Sequence, residues 1–352
     1  MIRADLAPLP DPLAAPTAHV AATVAASIPA GVRAKRTAPN SLLSRPFPPP
    51  GVPRWARASG RTGQGDSLFF AGAALALLDA YLRSDPPAAG ALRQRLALHS
   101  AATSAKLLRL NADVGALRDL RFAIGDAGPA ARVLELWREL ATRPPGLDAR
   151  RLAVATSLLD LPVVNADVLA ESLSEQSRAG DPVSAAAKAA AMTFAALPDA
   201  PAAEAEILAL WAFDSVLALR LRWPRPVPLV AGTILDLSLR SNGGGRRAQP
   251  GDPGWAKIAA GAIALAAAAA LDLAADLARR ADTLLAVAPK LRAKPAQRIV
   301  ELLLADDCVS PAEAARQAPM TDRAARRLFD RLLALGAARE FSGRPAFRLY
   351  GL

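Results

Sequence analysis

Apolar residues recur every three to four positions along most of the chain after residue 66. This spacing is typical of amphipathic helices. Turn signals such as Asp85-Pro86-Pro87 separate the helical stretches, because proline has no amide hydrogen to continue a helix. The pattern predicts an all-α, bundle-like body over residues 67–288. Its predicted helices cover residues 68–82, 88–110, 147–161, 165–179, 181–197, 202–222 and 254–287, with two more that start near Asn111 and Gly128.

For residues 289–352, which we call the C-terminal module, the sequence predicts a more specific order of helices and turns. A first helix is predicted over residues 296–305. Ser310 then stands at an N-cap position with Glu313 three residues later, a capping-box spacing that starts a short second helix. Thr321 is the next N-cap, and Gly336 ends the third helix. Three helices joined by short turns indicate a helix-turn-helix arrangement.

The third helix of the module has an apolar face and a cationic face. The predicted apolar stripe consists of Ala325, Leu328, Leu332 and Leu335. Phe329 and Leu333 border this stripe, either as core residues or as contacts for a partner. The opposite face is rich in arginine, and arginine binds both DNA phosphates and guanine edges. The third helix is therefore a candidate recognition helix.

Two short alternating runs follow Gly336 and flank a turn at residues 342–345. Such a pattern predicts a β-hairpin, and a hairpin that follows a helix-turn-helix stands where a wing would be. The module is therefore predicted to be a winged helix-turn-helix. Its predicted DNA-binding residues are Arg323, Arg326, Arg327, Arg331, Arg344 and Arg348.

The net charge of +11 is unevenly distributed along the chain. Residues 1–66 carry a net charge of +5, the body +1 and the C-terminal module +5. A near-neutral body with basic ends indicates that the ends make any contact with a polyanion. Residues 1–66 also hold eleven of the thirty prolines, which predicts a mostly disordered, Pro-rich tail.

Few residues in the chain can support catalysis. Cys308 is the only cysteine, and His19 and His99 are the only histidines. This composition excludes a disulfide framework and a Cys/His zinc cluster. No catalytic, cofactor-binding or metal-binding residue is predicted, and the chain is not expected to be an enzyme. The alternative is an active site inside the body, which would need His99 at the bottom of a deep pocket beside a carboxylate.

The chain is expected to be soluble, cytoplasmic and independent of membranes. Prolines and aspartates interrupt the apolar residues at the N-terminus, which make a poor signal peptide. The longest uncharged apolar run, from Ile258 to Leu271, has 14 residues, fewer than the ~20 that span a bilayer. A lone cysteine also suits a reducing compartment.

A connector from Arg222 to Leu229 is stiffened by three prolines. Two interpretations fit its residues. It is either a docking strip made of arginines and Trp223, or a rigid turn in which Trp223 packs on the body and the arginines are solvated.

Several stretches of the chain resemble a known family. They are FAGAALALLDA at residues 70–80, ALRQRLAL at 91–98, LRWPRPVPL at 221–229, DRAARRLFDRLLALGAARE at 322–340 and GRPAFRLYGL at 343–352. On these residues, nearly everything after the tail resembles an uncharacterised proteobacterial and mainly rhizobial family, domain of unknown function 1403. That family brings no established activity, substrate or catalytic residue. The resemblance implies a bacterial cytoplasmic protein.

Two functions remain compatible with the module. In the first, the chain is a DNA-binding protein, such as a regulator, whose winged helix contacts double-stranded DNA while the body dimerises or senses an unknown effector. One module reads a half-site, so this function predicts a homodimer and a palindromic site. In the second, the chain is a helical interaction scaffold whose winged helix docks a protein partner. Charge reversal at Arg323, Arg326 and Arg327 separates the two, because a partner would still be recruited to the body.

Overall fold

The computed structural model describes residues 48–58, 64–123, 125, 128–162, 165–176, 180–240, 246–291, 295–344 and 347–352. Ser44–Leu352 forms one compact unit. Of the predicted tail, residues 1–47 and 59–63 lie outside the described residues. The part from residue 48 to residue 58 contacts the body: Val52 and Ala56 are buried, and Arg57 pairs with Asp272 at 3.0 Å.

The described residues are mostly helical, as predicted. They form thirteen α helices and one two-stranded antiparallel sheet. The helices of the body are α1 (Gln64–Arg83), α2 (Ala89–Leu107), α3 (Val114–Leu120), α4 (Gly128–Thr142), α5 (Ala149–Leu158), α6 (Ala166–Gln176), α7 (Pro182–Ala195), α8 (Ala202–Arg220), α9 (Val230–Thr233) and α10 (Trp255–Val287). The module contains α11 (Ala296–Ala305), α12 (Pro311–Gln317), α13 (Asp322–Ala334), β1 (Arg339–Glu340) and β2 (Tyr350–Gly351).

Short polar side chains start several of these helices. At the start of α7, the carboxylate of Asp181 accepts hydrogen bonds from the backbone N–H groups of Val183 and Ser184. Pro182 occupies the first helical position, so both start signals are confirmed. Asp66 is not the predicted N-cap of the first helix. It lies inside the first turn of α1, where its negative charge interacts favourably with the helix dipole.

Two helices lie at the centre of the body. Every residue of α8 from Ala205 to Ala218 is buried, as expected of a helix that other helices surround. The 33-residue α10 runs along α1 and also contacts α2, α7 and α9. By length and composition, the helical stretch Trp255–Lys290 could cross a membrane, and 56% of its most apolar window is buried inside the fold. The cytoplasmic location stays a prediction.

The proline-stiffened connector forms a turn over the body. Trp223 is buried, and its indole N–H donates a hydrogen bond to Asp79 at 2.8 Å. Arg222 and Arg225 are exposed. The rigid-turn interpretation of this segment is therefore confirmed for Trp223 and for both arginines.

A buried carboxylate holds the end of the connector. Asp214 of α8 accepts hydrogen bonds from the backbone N–H groups of Leu229 at 2.9 Å and Val230 at 3.3 Å. Burial raises the pKa of Asp214 to about 8, and the two hydrogen bonds offset only part of this rise. The fold therefore favours the protonated form of this side chain at neutral pH.

Candidate nucleic-acid interface

The second and third helices of the module begin where their capping residues predict. Ser310 accepts a hydrogen bond from the N–H of Glu313 at 3.1 Å, and Thr321 accepts one from Ala324 at 3.2 Å. Gly336 follows α13 with a φ of +65°, a conformation that glycine adopts without strain. The predicted order of three helices with short turns is confirmed.

The buried face of α13 differs from the predicted apolar stripe. Its buried residues are Ala325, Phe329 and Leu332, whereas Leu328 is only partly buried and Leu335 is 41% exposed. The reason is Tyr350 of β2, whose ring stacks on Phe329 with centroids 4.4 Å apart. Because the hairpin covers this side of the helix, Phe329 is a core residue and not a free contact for a partner.

The hairpin after α13 is shorter than the alternating pattern predicts. Its antiparallel register pairs Arg339 with Gly351 and Glu340 with Tyr350. Val309, between α11 and α12, forms a further bridge with Tyr350. The small sheet therefore ties the first turn of the module to its last residues. Pro345 of the predicted turn and Ala346 of the run that follows it lie outside the described residues.

Three of the six predicted DNA-binding residues share one open surface. Arg323, Arg327 and Arg331 follow one another at four-residue intervals along α13 and are all exposed. Among the described residues, no carboxylate forms an ion pair with any of them. We call these three residues the arginine face. Their guanidinium groups are available to an external anion.

The other three predicted residues are paired inside the chain. Arg326 contacts Asp322 at 2.9 Å, and Arg348 contacts Asp330 at 3.2 Å. Arg326 and Arg348 line a cavity of about 270 Å³ together with these two acids. The structure thus brings Arg326 and Arg348 together beside carboxylates.

The hairpin turn is attached to the body. Arg344 pairs with Asp119 of α3 at 2.8 Å, and the ring of Phe347 meets Phe122 edge-on with centroids 5.9 Å apart. The predicted wing residue Arg344 therefore has a carboxylate partner within the chain.

Seven charged side chains meet where the body touches the module. We call them the ionic junction; they are Arg95, Arg118, Arg121, Arg138, Asp306, Asp307 and Glu313. The side chain of Asp307 is 3% exposed and pairs with Arg95 and with Arg118, whose Nε lies 2.6 Å from Oδ2. A largely buried set of ion pairs therefore joins the two parts of the chain.

The remaining ion pairs of the ionic junction form around Asp306. Arg138 binds both oxygens of Asp306 at 3.1 and 2.9 Å. Arg121 bridges Asp306 at 2.8 Å and Glu313 at 3.0 Å. Forked contacts of this kind match the planar geometry of the guanidinium group.

Two arginines of the junction keep Asp307 charged. Burial acts to raise the pKa of Asp307, but hydrogen bonds and charges from Arg118 and Arg95 together lower that pKa below its ordinary value. Phe341 adds a ring face 4.2 Å from the guanidinium carbon of Arg118 and 5.2 Å from that of Arg95. The buried carboxylate of Asp307 therefore stays ionised.

Gly90 allows the body and the module to approach closely. A Cβ atom at Gly90 of α2 would lie 2.6 Å from the carbonyl oxygen of Ala305, at the end of α11. Real side chains do not tolerate so short a contact with backbone. The missing side chain thus brings α11 close enough for Asp306 and Asp307 to reach their arginines.

Sequence reasoning did not find the ionic junction. Its partners are separated by 168 to 212 positions in the chain, so no local spacing relates them. One signal was present: Asp306 and Asp307 follow an apolar helix directly, and Arg95 lies within the apolar stretch ALRQRLAL. Charges embedded in apolar sequence predict buried pairing, because buried charges need partners.

His99 lies exposed at a cavity of about 280 Å³ between α2, α9 and α10. Although part of the side chain reaches solvent, the protein atoms around the imidazole and repulsion from Arg95 lower the pKa of His99. None of the described residues that line this cavity is a carboxylate, which a catalytic role for His99 would require. The absence of enzyme activity stays a prediction.

Comparison with known families assigns most of the chain to one family. A model described as "Protein of unknown function (DUF1403)" matches residues 40–352. The chain belongs to this family. The resemblance to domain of unknown function 1403 is thereby confirmed, whereas the bacterial origin stays a prediction. The DUF1403 match includes the body, the ionic junction and the arginine face. No curated protein matches the chain, so the family assignment carries no activity with it.

Proposed function

We propose that this DUF1403 chain binds double-stranded DNA through its C-terminal module. In this proposal the module is a winged helix-turn-helix, with α12 and α13 as the helix-turn-helix and the β1–β2 hairpin as the wing. Support comes from the order of the elements. The bridge between Val309 and Tyr350 adds a third strand position between the first two helices.

The arginine face carries the proposal. Arg323, Arg327 and Arg331 form a row on the exposed side of α13 and have no ion pair among the described residues. Arginine is the side chain most often used for bidentate contacts with guanine and for phosphate contacts. A row of open arginines on the exposed side of a helix suits insertion into the major groove.

The six predicted arginines are not equally available to DNA, because some already have carboxylate partners within the chain. Arg344 already pairs with Asp119, and Arg348 with Asp330. We therefore assign the main DNA contacts to the arginine face and a lesser share to Arg326, Arg344 and Arg348. A single module covers one half-site, so the proposal includes a homodimer that reads a palindrome as a cytoplasmic, non-enzymatic regulator.

The test is fluorescence anisotropy of the full-length chain with random duplex DNA across a salt series. We expect affinity to fall steeply with salt, with a slope of about 0.9 in log–log terms for each phosphate neutralised. Arg323→Glu/Arg327→Glu should abolish this binding. The matched control is Arg54→Glu/Arg240→Glu, which makes the same charge change at two exposed arginines outside the module. Equal loss in both double variants would reject a specific role for α13.

A protein-docking scaffold is the second candidate function. Its supporting observation is the hairpin turn, which contacts the body through Arg344–Asp119 and Phe347–Phe122 and so already binds protein surface. If the folded chain does not bind DNA at low salt, the scaffold becomes the better account of the module.

A further inference from the structure

The cavity beside His99 is a concave site on the body, formed by α2, α9, α10 and the end of the connector. Its volume is about 280 Å³, whereas protein interiors leave few voids larger than a water molecule. Pro228, Leu229 and Ala266 line it and are buried. His99 and Ala269 also line it and are exposed. The cavity therefore has a buried apolar floor and a rim that solvent reaches.

Hydrogen bonds hold the wall of the cavity that α9 and the connector form. At the start of α9, Asp214 accepts the backbone N–H groups of Leu229 at 2.9 Å and Val230 at 3.3 Å. At the end of α9, the hydroxyl of Thr233 donates to the carbonyl oxygen of Ala262 in α10 at 3.0 Å. Because both ends of this short helix are tied to its neighbours, the cavity is pre-formed, as ligand sites usually are.

The lining of the cavity offers one polar group to a ligand. None of the described residues that line it is Asp, Glu, Lys or Arg, and only His99 and Thr233 have polar side chains. The hydroxyl hydrogen of Thr233 is already used within the fold. The protein atoms around the imidazole and repulsion from Arg95 lower the pKa of His99, so its ring is neutral at neutral pH. A neutral imidazole has one donor and one acceptor nitrogen.

We infer that this cavity binds a small, uncharged, mostly apolar molecule whose hydrogen-bonding group meets the imidazole of His99. An apolar cavity of about 150 Å³ binds benzene, so the larger cavity of this chain has room for a two-ring molecule. A charged ligand is disfavoured, because its charge would lie against apolar walls without a partner. The site uses no residue of the arginine face and does not depend on DNA binding.

The test is isothermal titration calorimetry of the full-length chain at neutral pH with two probes that share the same rings. The first probe, 2-naphthol, is uncharged and carries one hydroxyl group, whereas naphthalene-2-sulfonate carries a negative charge in its place. We expect saturable binding of one 2-naphthol per chain, and an affinity for the sulfonate that is lower by about tenfold or more. No saturable binding of 2-naphthol, or equal affinity for both probes, would overturn the inference.

Two variants locate the bound probe. Ala269→Leu puts a larger side chain at the rim and should remove most of the binding of 2-naphthol. The matched control is Ala256→Leu, at an exposed residue of α10 that does not line the cavity, and it should keep the binding. Full affinity in Ala269→Leu would overturn the inference.

His99→Leu tests the polar contact, because leucine keeps the wall apolar but cannot hydrogen-bond. The affinity for 2-naphthol should fall roughly threefold to tenfold, the contribution of one hydrogen bond. Unchanged affinity in this variant would reject the imidazole as the group that meets the ligand. Arg323→Glu/Arg327→Glu should bind 2-naphthol as the wild-type chain does, which separates this site from the proposed DNA contact.

Discussion

The ionic junction and the arginine face use the same residue type in opposite ways. The side chains of Arg95, Arg118, Arg121 and Arg138 are between 12% and 21% exposed, and all are paired with acids of the module. The arginine face is exposed and unpaired among the described residues. A count of arginines therefore says nothing about their role; the position of the carboxylates decides it.

This difference also changes the charge that the module presents. Three of its acids, Asp306, Asp307 and Glu313, are neutralised by arginines of the body. The remaining surface of the module is consequently more basic than its sequence charge of +5 indicates. The junction holds the module against the body. It also pairs three acids that would otherwise weaken the positive potential around the arginine face.

The largest loss of stability is expected for Asp307→Ala, which removes an acid from the ionic junction. This change leaves Arg95 and Arg118 partly buried without their acid, and breaking a buried pair typically costs about 3–5 kcal/mol. Urea unfolding of the full-length chain should show a loss of this order. The control is Asp330→Ala, which removes an exposed partner of Arg348. Similar losses in the two variants would mean that the junction contributes no more than a surface pair.

A smaller loss is expected when the junction is forced apart by one methyl group. Gly90→Ala places a Cβ against Ala305 and should destabilise the fold by about 1–3 kcal/mol, as overpacking does. The matched control is Gly72→Ala in α1, where a Cβ would meet nothing within 4 Å. Alanine favours a helix over glycine by up to about 1 kcal/mol, so the control should gain stability. Chemical denaturation should show a lower free energy of unfolding for Gly90→Ala and a higher one for Gly72→Ala.

A third test compares two buried carboxylates, one with cations and one without. The folded-state pKa of Asp214 is raised from 3.8 to about 8, so the folded state holds a proton that the unfolded state releases. Its contribution to stability is full below pH 4 and is lost as pH rises toward 8, by up to about 1.4 kcal/mol per pH unit. The lowered pKa of Asp307 stabilises the fold at every pH above the pKa that this side chain has in the unfolded chain. That stabilisation is lost only in acid.

Unfolding measurements from pH 5 to pH 8 on the wild-type chain and Asp214→Asn isolate this effect. The difference between the two chains should grow steadily with pH in favour of the variant. Asp307 is ionised in both states over this range and adds no slope. A difference that does not change with pH would show that Asp214 is ionised in the fold.

The smallest effect on stability is expected at the arginine face. Arg327→Ala removes an exposed side chain with no ion pair among the described residues, so the unfolding midpoint should stay nearly unchanged. DNA affinity should fall in the same variant, for every sequence alike if Arg327 contacts phosphate. A large drop in the midpoint would assign Arg327 to the fold and remove it from the proposed interface.

Local signals predicted the elements of this chain well. The predicted span of α11 agrees with the structure, and Ser310, Thr321 and Asp181 cap helices as expected. Capping depends on residues a few positions apart, which a sequence displays directly. Phe329 was harder to assign, because the ring that covers it belongs to Tyr350, beyond the next turn. The short α9, directly after the connector, carried no usable periodicity over its four residues.

The sequence by itself determined the helical class, the order of the three helices and the hairpin in the module, and the family. These features follow from short-range periodicity, caps and motif similarity. Only the tertiary structure decided which arginines are bound and which are open. Ion pairs between Arg118 and Asp307, or Arg344 and Asp119, join residues that are remote in the chain. Their formation depends on how helices pack in three dimensions, and no local pattern encodes that arrangement.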